Sequence, residues 1–257
     1  MLSLSLQQAK AQLQFNRWND EEAVILDTET TGIDFAEIVE ISVIDMKGNV
    51  LYESFVKPKG DIPSEARDIH GITEKMVKDA PTWMEVWPEV YPILKDRIVL
   101  MYNADFHIRA MKTSFLVYET MDEAFEEEFR QIDGLQSECV MIAYAQYKGD
   151  ERWRKLSEAC GYNIRHRALD DCRAILEVIR KCYKSDFTND DYRKIKIKEE
   201  INELTKKSRY LSYRIHELSE EQVDLQKRLK ELLQEYFADL TIDLDDPVDI
   251  TDDDLPF

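Results

Sequence analysis

The stretch Ala23-Val24-Ile25-Leu26-Asp27-Thr28-Glu29-Thr30-Thr31-Gly32 constrains this chain more than any other. Apolar residues run together and then give way to charged and small ones, as in a buried strand that ends at the margin of a core. Residues i and i+2 of a strand face the same way, so Asp27 and Glu29 aim two carboxylates at one spot. Like charges held together away from water repel strongly unless a cation lies between them. Hard oxygen donors select Mg2+ or Mn2+. Around this segment the sequence predicts a helix over 3–19 and strands over 23–27, 38–46 and 50–58. Lys47-Gly48-Asn49 forms a hairpin turn between the last two strands. Short links make these three strands an antiparallel meander. Helices follow over 63–68, 73–79 and 84–95, then a buried strand over 97–102, then helices to residue 184 with a short strand near Val140. Strands first, then strands alternating with helices, give an α/β fold with a mixed central sheet.

A second chemical signal lies far along the chain. His166-Arg167-Ala168-Leu169-Asp170-Asp171 opens a helix that continues as CRAILEVIRKC. The histidine sits at the mouth of that helix and Asp171 about one and a half turns further on. A metal-activated water beside a histidine base is a standard means of hydrolysing a phosphodiester.

Together the two segments resemble the DnaQ-like (DEDDh) 3′-to-5′ exonuclease family over residues 20–184. Asp-Thr-Glu-Thr-Thr-Gly matches the family's first motif and His-Arg-Ala-Leu-Asp-Asp its third. Glu40, Val56-Lys57-Pro58, His70-Gly71-Ile72-Thr73 and Lys155-Leu156 are smaller matches. The resemblance implies an RNase H-like fold, two divalent metal ions and release of nucleoside monophosphates from a 3′ end. It implies Asp27, Glu29 and Asp171 as metal ligands and His166 as the general base. It places Thr28, Thr30, Glu40 and Asn103 near the terminal nucleotide. The family's second motif reads Asn-Ala-x-Phe-Asp, and its aspartate binds metal. Here Tyr102-Asn103-Ala104-Asp105-Phe106-His107 puts His107 in that place. Asp105 points elsewhere on a helix. An imidazole removes one negative charge and suits a transition metal better than Mg2+. The chain is then weakened or inactive, active with a changed metal preference, or a variant of an active parent. A nuclease-shaped interaction scaffold is the rival reading. Both DNA and RNA substrates occur in the family, so the resemblance leaves the two open; a single-stranded DNA 3′ end is the expected substrate and RNA the alternative.

The charge of the 257-residue chain is unevenly spread. The formal net charge is −19, which argues against a general nucleic-acid coat protein. Residues 1–189 hold 23 basic and 34 acidic side chains, 190–237 hold 11 of each, and 238–257 hold eight acidic and no basic ones. These regimes divide the chain into 1–189, which the resemblance implies is an exonuclease domain, a coiled-coil helix over 190–237 and an acidic, disordered tail over 238–257. Residues 190–237 contain no glycine or proline. One heptad register places Ile197, Leu204, Leu211, Leu218, Leu225 and Leu232 at d, with Ile201, Ser208, Ile215, Gln222, Leu229 and Tyr236 at a. The apolar face needs a cover: a second copy through residues 197–236, or the chain's own domain, or a hairpin. The last six residues, Asp252-Asp253-Asp254-Leu255-Pro256-Phe257, resemble the tip of bacterial single-stranded-DNA-binding proteins. That resemblance implies docking on genome-maintenance proteins that read such tips, in replication or repair, in a bacterium or phage. Cys139, Cys160, Cys172 and Cys182 form no CxxC pair and read as reduced core thiols. No apolar run is long enough to span a bilayer and no secretory leader is evident, so the expected location is the cytoplasm, with no membrane contact.

Overall fold

Strand β1 (Ala23–Thr30) is buried along its whole length, because it lies in the middle of the sheet. Its neighbours are β2 (Ile38–Asp45), antiparallel, and β4 (Ile98–Met101), parallel. Outside them lie β3 (Val50–Phe55), antiparallel to β2, and β5 (Gln136–Cys139), parallel to β4. The sheet order is β3-β2-β1-β4-β5. The computed structural model describes residues 4–20, 22–118 and 123–239.

The expected meander is present. Asp45 closes its hairpin by accepting hydrogen bonds from the backbone N–H of Lys47 and Asn49, and Gly48 takes φ +92°. The first strand runs further than the sequence predicts. Pairing with β2 continues through Thr30, so Asp27 to Thr30 of the acidic motif are strand and only Thr31 and Gly32 fall after it. The short strand expected near Val140 ends at Cys139, one residue before it.

Helices cover both faces of the sheet, and the parity of β1 decides what each face meets. Ala23 and Ile25 pack with α1 (Leu6–Asp20), α7 (Val140–Lys148) and α9 (Ala168–Cys182). Val24 and Leu26 pack on the other side with α4 (Trp83–Leu94) and α5 (Ala104–Leu116), around Trp83, Trp87, Met111 and Phe115. Short helices α2 (Ser64–His70) and α3 (Glu74–Val77) close a third cluster with Val39, Ile62 and Ile72. Helices α6 (Glu123–Asp133) and α8 (Leu156–Cys160) complete the layers. Cys160, Cys172 and Cys182 are buried free thiols, and Cys139 is free and half-buried.

The chain divides into two units on either side of the Ile197–Lys198 bond, eight residues beyond the boundary expected at 189. Helix α10 runs unbroken over Asn189–Asp239, which rules out a hairpin within it. Its apolar a and d side chains between Ile197 and Leu232 are 45–71 % exposed. The expectations for the Tyr236 side chain and for the tail after Asp239 lie outside the described residues. No helix among the described residues is long and apolar enough to cross a membrane.

Leu26 is fully buried between β2, β4 and α4. Leu26→Ala is expected to cost about 3 kcal/mol, read as a lower urea midpoint at unchanged m-value.

Candidate active site

The parity that sorts the apolar half of β1 sorts its polar half too. Asp27 and Glu29 continue the line of Ala23 and Ile25 toward α9, while Thr28 and Thr30 continue the line of Val24 and Leu26. Helix α9 brings up Asp171, some 140 residues away in sequence, and oxygens of Asp27, Glu29 and Asp171 lie within 4.8 Å of one another. These are the three carboxylates that the two sequence motifs single out.

Helix α9 is held there by a set of specific contacts. Glu40 of β2, buried, accepts from the backbone N–H of Ala168 (3.0 Å) at the first turn and pairs with the guanidinium of Arg167. Arg167 also lies 5.3 Å over the ring of Phe55. One turn on, the Cys172 thiol points at the carbonyl of Ser42 (3.4 Å). Glu40 faces Glu29 across the β1–β2 ladder, and Arg167 relieves the repulsion between them. The sequence motif contains Arg167 but gives no sign of this role, because its partner is 127 positions away. Both oxygens of Glu40, expected beside a nucleotide, are engaged in this anchorage.

Packing three acids this way raises the pKa of each. Burial, then the charges of Asp171 and Glu29, raise Asp27 well above the usual carboxylate range. Burial, then Asp171 and Glu40, push Glu29 up to about 8. Burial, then Asp170 and Glu40, push Asp171 up to about 7. Asp171 Oδ1 is buried with no hydrogen-bond partner among the described residues. An all-oxygen cluster that repels itself and includes an orphaned acceptor fits a hard divalent cation.

The other face of β1 explains His107. Its ring is buried in α5 and pushed down to about 4 by desolvation, so it is neutral. Nε2 lies 3.0 Å from the carbonyl of Tyr102, which can only accept, so the ring proton sits on Nε2. Nδ1 is then the acceptor for the Thr28 hydroxyl at 2.8 Å. Nε2 also lies 3.4 Å from Asp27 Oδ1. Both nitrogens of His107 are engaged, and the ring is not among the converging donors. Asp105 is exposed on the same helix.

The remaining expected residues are distributed around this centre. His166 lies two residues before α9 rather than on it, in the left-handed region at φ +51°. Its half-exposed ring places Nδ1 3.9 Å from Asp171 Oδ2. The Thr30 hydroxyl donates to the Gly32 carbonyl (2.7 Å), and His70 Nε2 binds the Thr30 carbonyl (3.2 Å), which fixes the end of β1. Asn103 is exposed at the start of α5 with φ +70°. The loop after β1 presents Ile33 and Phe35, 79 % and 88 % exposed. The sequence analysis does not single these two residues out, because only the structure shows apolar side chains facing solvent beside the acids.

Comparison with known proteins accords with this geometry. Residues 24–179 match the Exonuclease family, RNase_T. The chain belongs to that family. An uncharacterized exonuclease, CP81, of Escherichia phage 186 is 35 % identical over 189 residues, covering 68 % of this chain and 95 % of that protein. The DNA polymerase III subunit epsilon of Rickettsia typhi is 30 % identical over 162 residues, covering 60 % of this chain and 71 % of that one. A 3′-exonuclease solved in a study of histone mRNA stem-loop recognition superposes with a TM-score of 0.50 at 17 % identity, covering 63 % of this chain and 64 % of that one. That likeness concerns the fold, and the five-stranded mixed sheet with flanking helices is the RNase H-like exonuclease architecture.

The acids set a pH dependence. Their folded pKa values lie above the unfolded ones, so their contribution to stability is full below about pH 4 and is lost as pH rises through 7 to 8. In chelator, Glu29→Gln is expected to melt roughly 5 °C above the parent at pH 8.5, with a smaller difference at pH 5. Saturating Mn2+ should reverse the order at pH 8.5, read by thermal unfolding.

Proposed function

We propose that this chain is a metal-dependent exonuclease that removes nucleoside monophosphates from 3′ ends of DNA, single-stranded in preference. The observation that carries the reading is the convergence of Asp27, Glu29 and Asp171, with its orphaned Asp171 oxygen. The sequence similarity to a DNA polymerase III epsilon subunit supports DNA over RNA. The expected ions are Mg2+ or Mn2+, two in number, held by these three carboxylates. Divalent ions in such a site lower the pKa of bound water and neutralise charge on the scissile phosphate.

The chain's own residues do the rest. Asp27 and Glu29 come from a rigid central strand, so they are positioned before substrate arrives. His166, beside Asp171 and open to solvent, takes a proton from the attacking water at one ring nitrogen. Its position before the helix lets the ring swing toward the phosphate. Thr28, Thr30 and Asn103 border the terminal nucleotide. Ile33 and Phe35 offer apolar surface for a base, and stacking on an aromatic ring is tolerant of sequence. Glu40 acts through α9 rather than on the nucleotide.

The second reading, a catalytically impaired scaffold, is favoured by His107, whose engaged ring supplies no charge where the resemblance leads one to expect an aspartate. Partners follow from the other segments. A second copy covers the heptad face of residues 197–236. The tip Asp252–Phe257 docks on genome-maintenance proteins that bind the tail of single-stranded-DNA-binding protein, its Pro-Phe end entering an apolar pocket and its aspartates meeting basic residues. Such partners place the protein in the cytoplasm, in replication or repair.

A metal-by-substrate panel on 3′-labelled oligonucleotides tests the reading. Asp171→Asn should abolish hydrolysis, and His166→Ala should lower kcat by about 10²–10⁴. If His107→Asp raises the rate by orders of magnitude, the present chain is the impaired form. Brisk hydrolysis by the parent in Mn2+ removes the scaffold reading. For the tail, deleting Phe257 should abolish binding to a protein that captures the single-stranded-DNA-binding-protein tip, measured by fluorescence anisotropy.

A further inference from the structure

Beyond the reading that a second copy covers α10, the charges along this helix specify how that copy lies. In the heptad frame, the g positions read Arg193, Glu200, Lys207, Arg214, Glu221, Arg228 and Glu235. The e positions from Thr205 onward are uncharged: Thr205, Ser212, Ser219, Gln226 and Leu233. Charges at e and g set partner orientation in coiled coils. In a parallel pair each g residue faces an e residue of the partner. Parallel pairing would leave these charges without opposite numbers, and would set Arg193 against Lys198. In an antiparallel pair g faces g and e faces e. Only that arrangement gives the g charges partners.

We propose that α10 forms an antiparallel two-stranded coiled coil with a second copy of itself, its two-fold axis beside Arg214. In that register Lys207 meets the second copy's Glu221, Glu200 meets its Arg228, and Arg193 meets its Glu235, each twice by symmetry. The one like-charge contact, Arg214 with its own copy, is compensated because Arg214 pairs with Glu217 along its own helix. Sliding by one heptad in one direction sets Lys207 against Arg228 and Glu200 against Glu235. Sliding the other way sets Lys207 against Arg214 and Glu200 against Glu221. The neighbouring registers are therefore disfavoured by repulsion, as well as by shorter overlap. The core agrees: Ile215 packs on Leu211, Ile201 on Leu225, and the polar a residues Ser208 and Gln222 face Leu218 and Leu204. A parallel pair would gain a bond between the two Gln222 amides, one contact set against six ion pairs. The heptad side chains stand exposed on the helix, ready for this cover.

The two arrangements bring different positions together, which gives the test. Under mild oxidation the full chain with Arg214→Cys is expected to form disulfide-linked dimers above the background of the parent's own thiols. Ser208→Cys is not, because antiparallel pairing sets residue 208 against Leu218. Linking through Ser208→Cys alone overturns the antiparallel proposal and leaves the dimer standing. A chain that sediments as a monomer at every concentration overturns both. Charge exchange gives an independent reading. Glu221→Lys should weaken dimerisation about tenfold in analytical ultracentrifugation, and adding Lys207→Glu should restore it. A single variant without effect, or a double variant no better than the single, counts against the pairing. Exonuclease activity does not enter either measurement, so failure of the catalytic reading leaves this result unaffected.

Discussion

Repulsion among Asp27, Glu29 and Asp171 is the constraint that the first unit of the chain is built to bear. Three carboxylates with oxygens within 4.8 Å of each other do not assemble unaided. They are forced together because each belongs to an element whose place is fixed by something else. Strand β1 is locked by pairing on both sides and by apolar packing on both faces. Helix α9 is held by its buried face, by the Glu40 clasp on its first turn and by Arg167 over Phe55. The repulsion is thus opposed by apolar burial on both faces of β1 and along α9.

Strand parity carries much of the function. One side of β1 delivers acids to α9, and the other delivers Thr28 to His107. A slip of one residue would exchange the two sets and destroy both. The end of the strand is secured separately by His70 through the Thr30 carbonyl, so the motif cannot fray where the chemistry is placed.

The sequence reveals the strand and its paired acids because they are local: four apolar residues and an i, i+2 spacing suffice. It reveals the meander, the mixed sheet and the long helix for the same reason. It misses what depends on distant partners. The role of Arg167 needs Glu40, the tautomer of His107 needs Tyr102 and Thr28, and the extension of β1 to Thr30 needs the ladder with β2. His166 reads as lying at the mouth of a helix, and the structure agrees, but its left-handed backbone is not legible in the sequence. Solvent exposure of Ile33 and Phe35 runs against their hydrophobicity and is invisible in composition.

The raised pKa values at the acid cluster have one further consequence. Burial and mutual repulsion push Glu29 up to about 8 and Asp171 up to about 7, so near neutrality these acids favour their protonated forms. A cation taken up by these acids would therefore displace hydrogen ions as it arrives. Mild acidification of the surroundings would then compete directly with such an ion for the same three side chains.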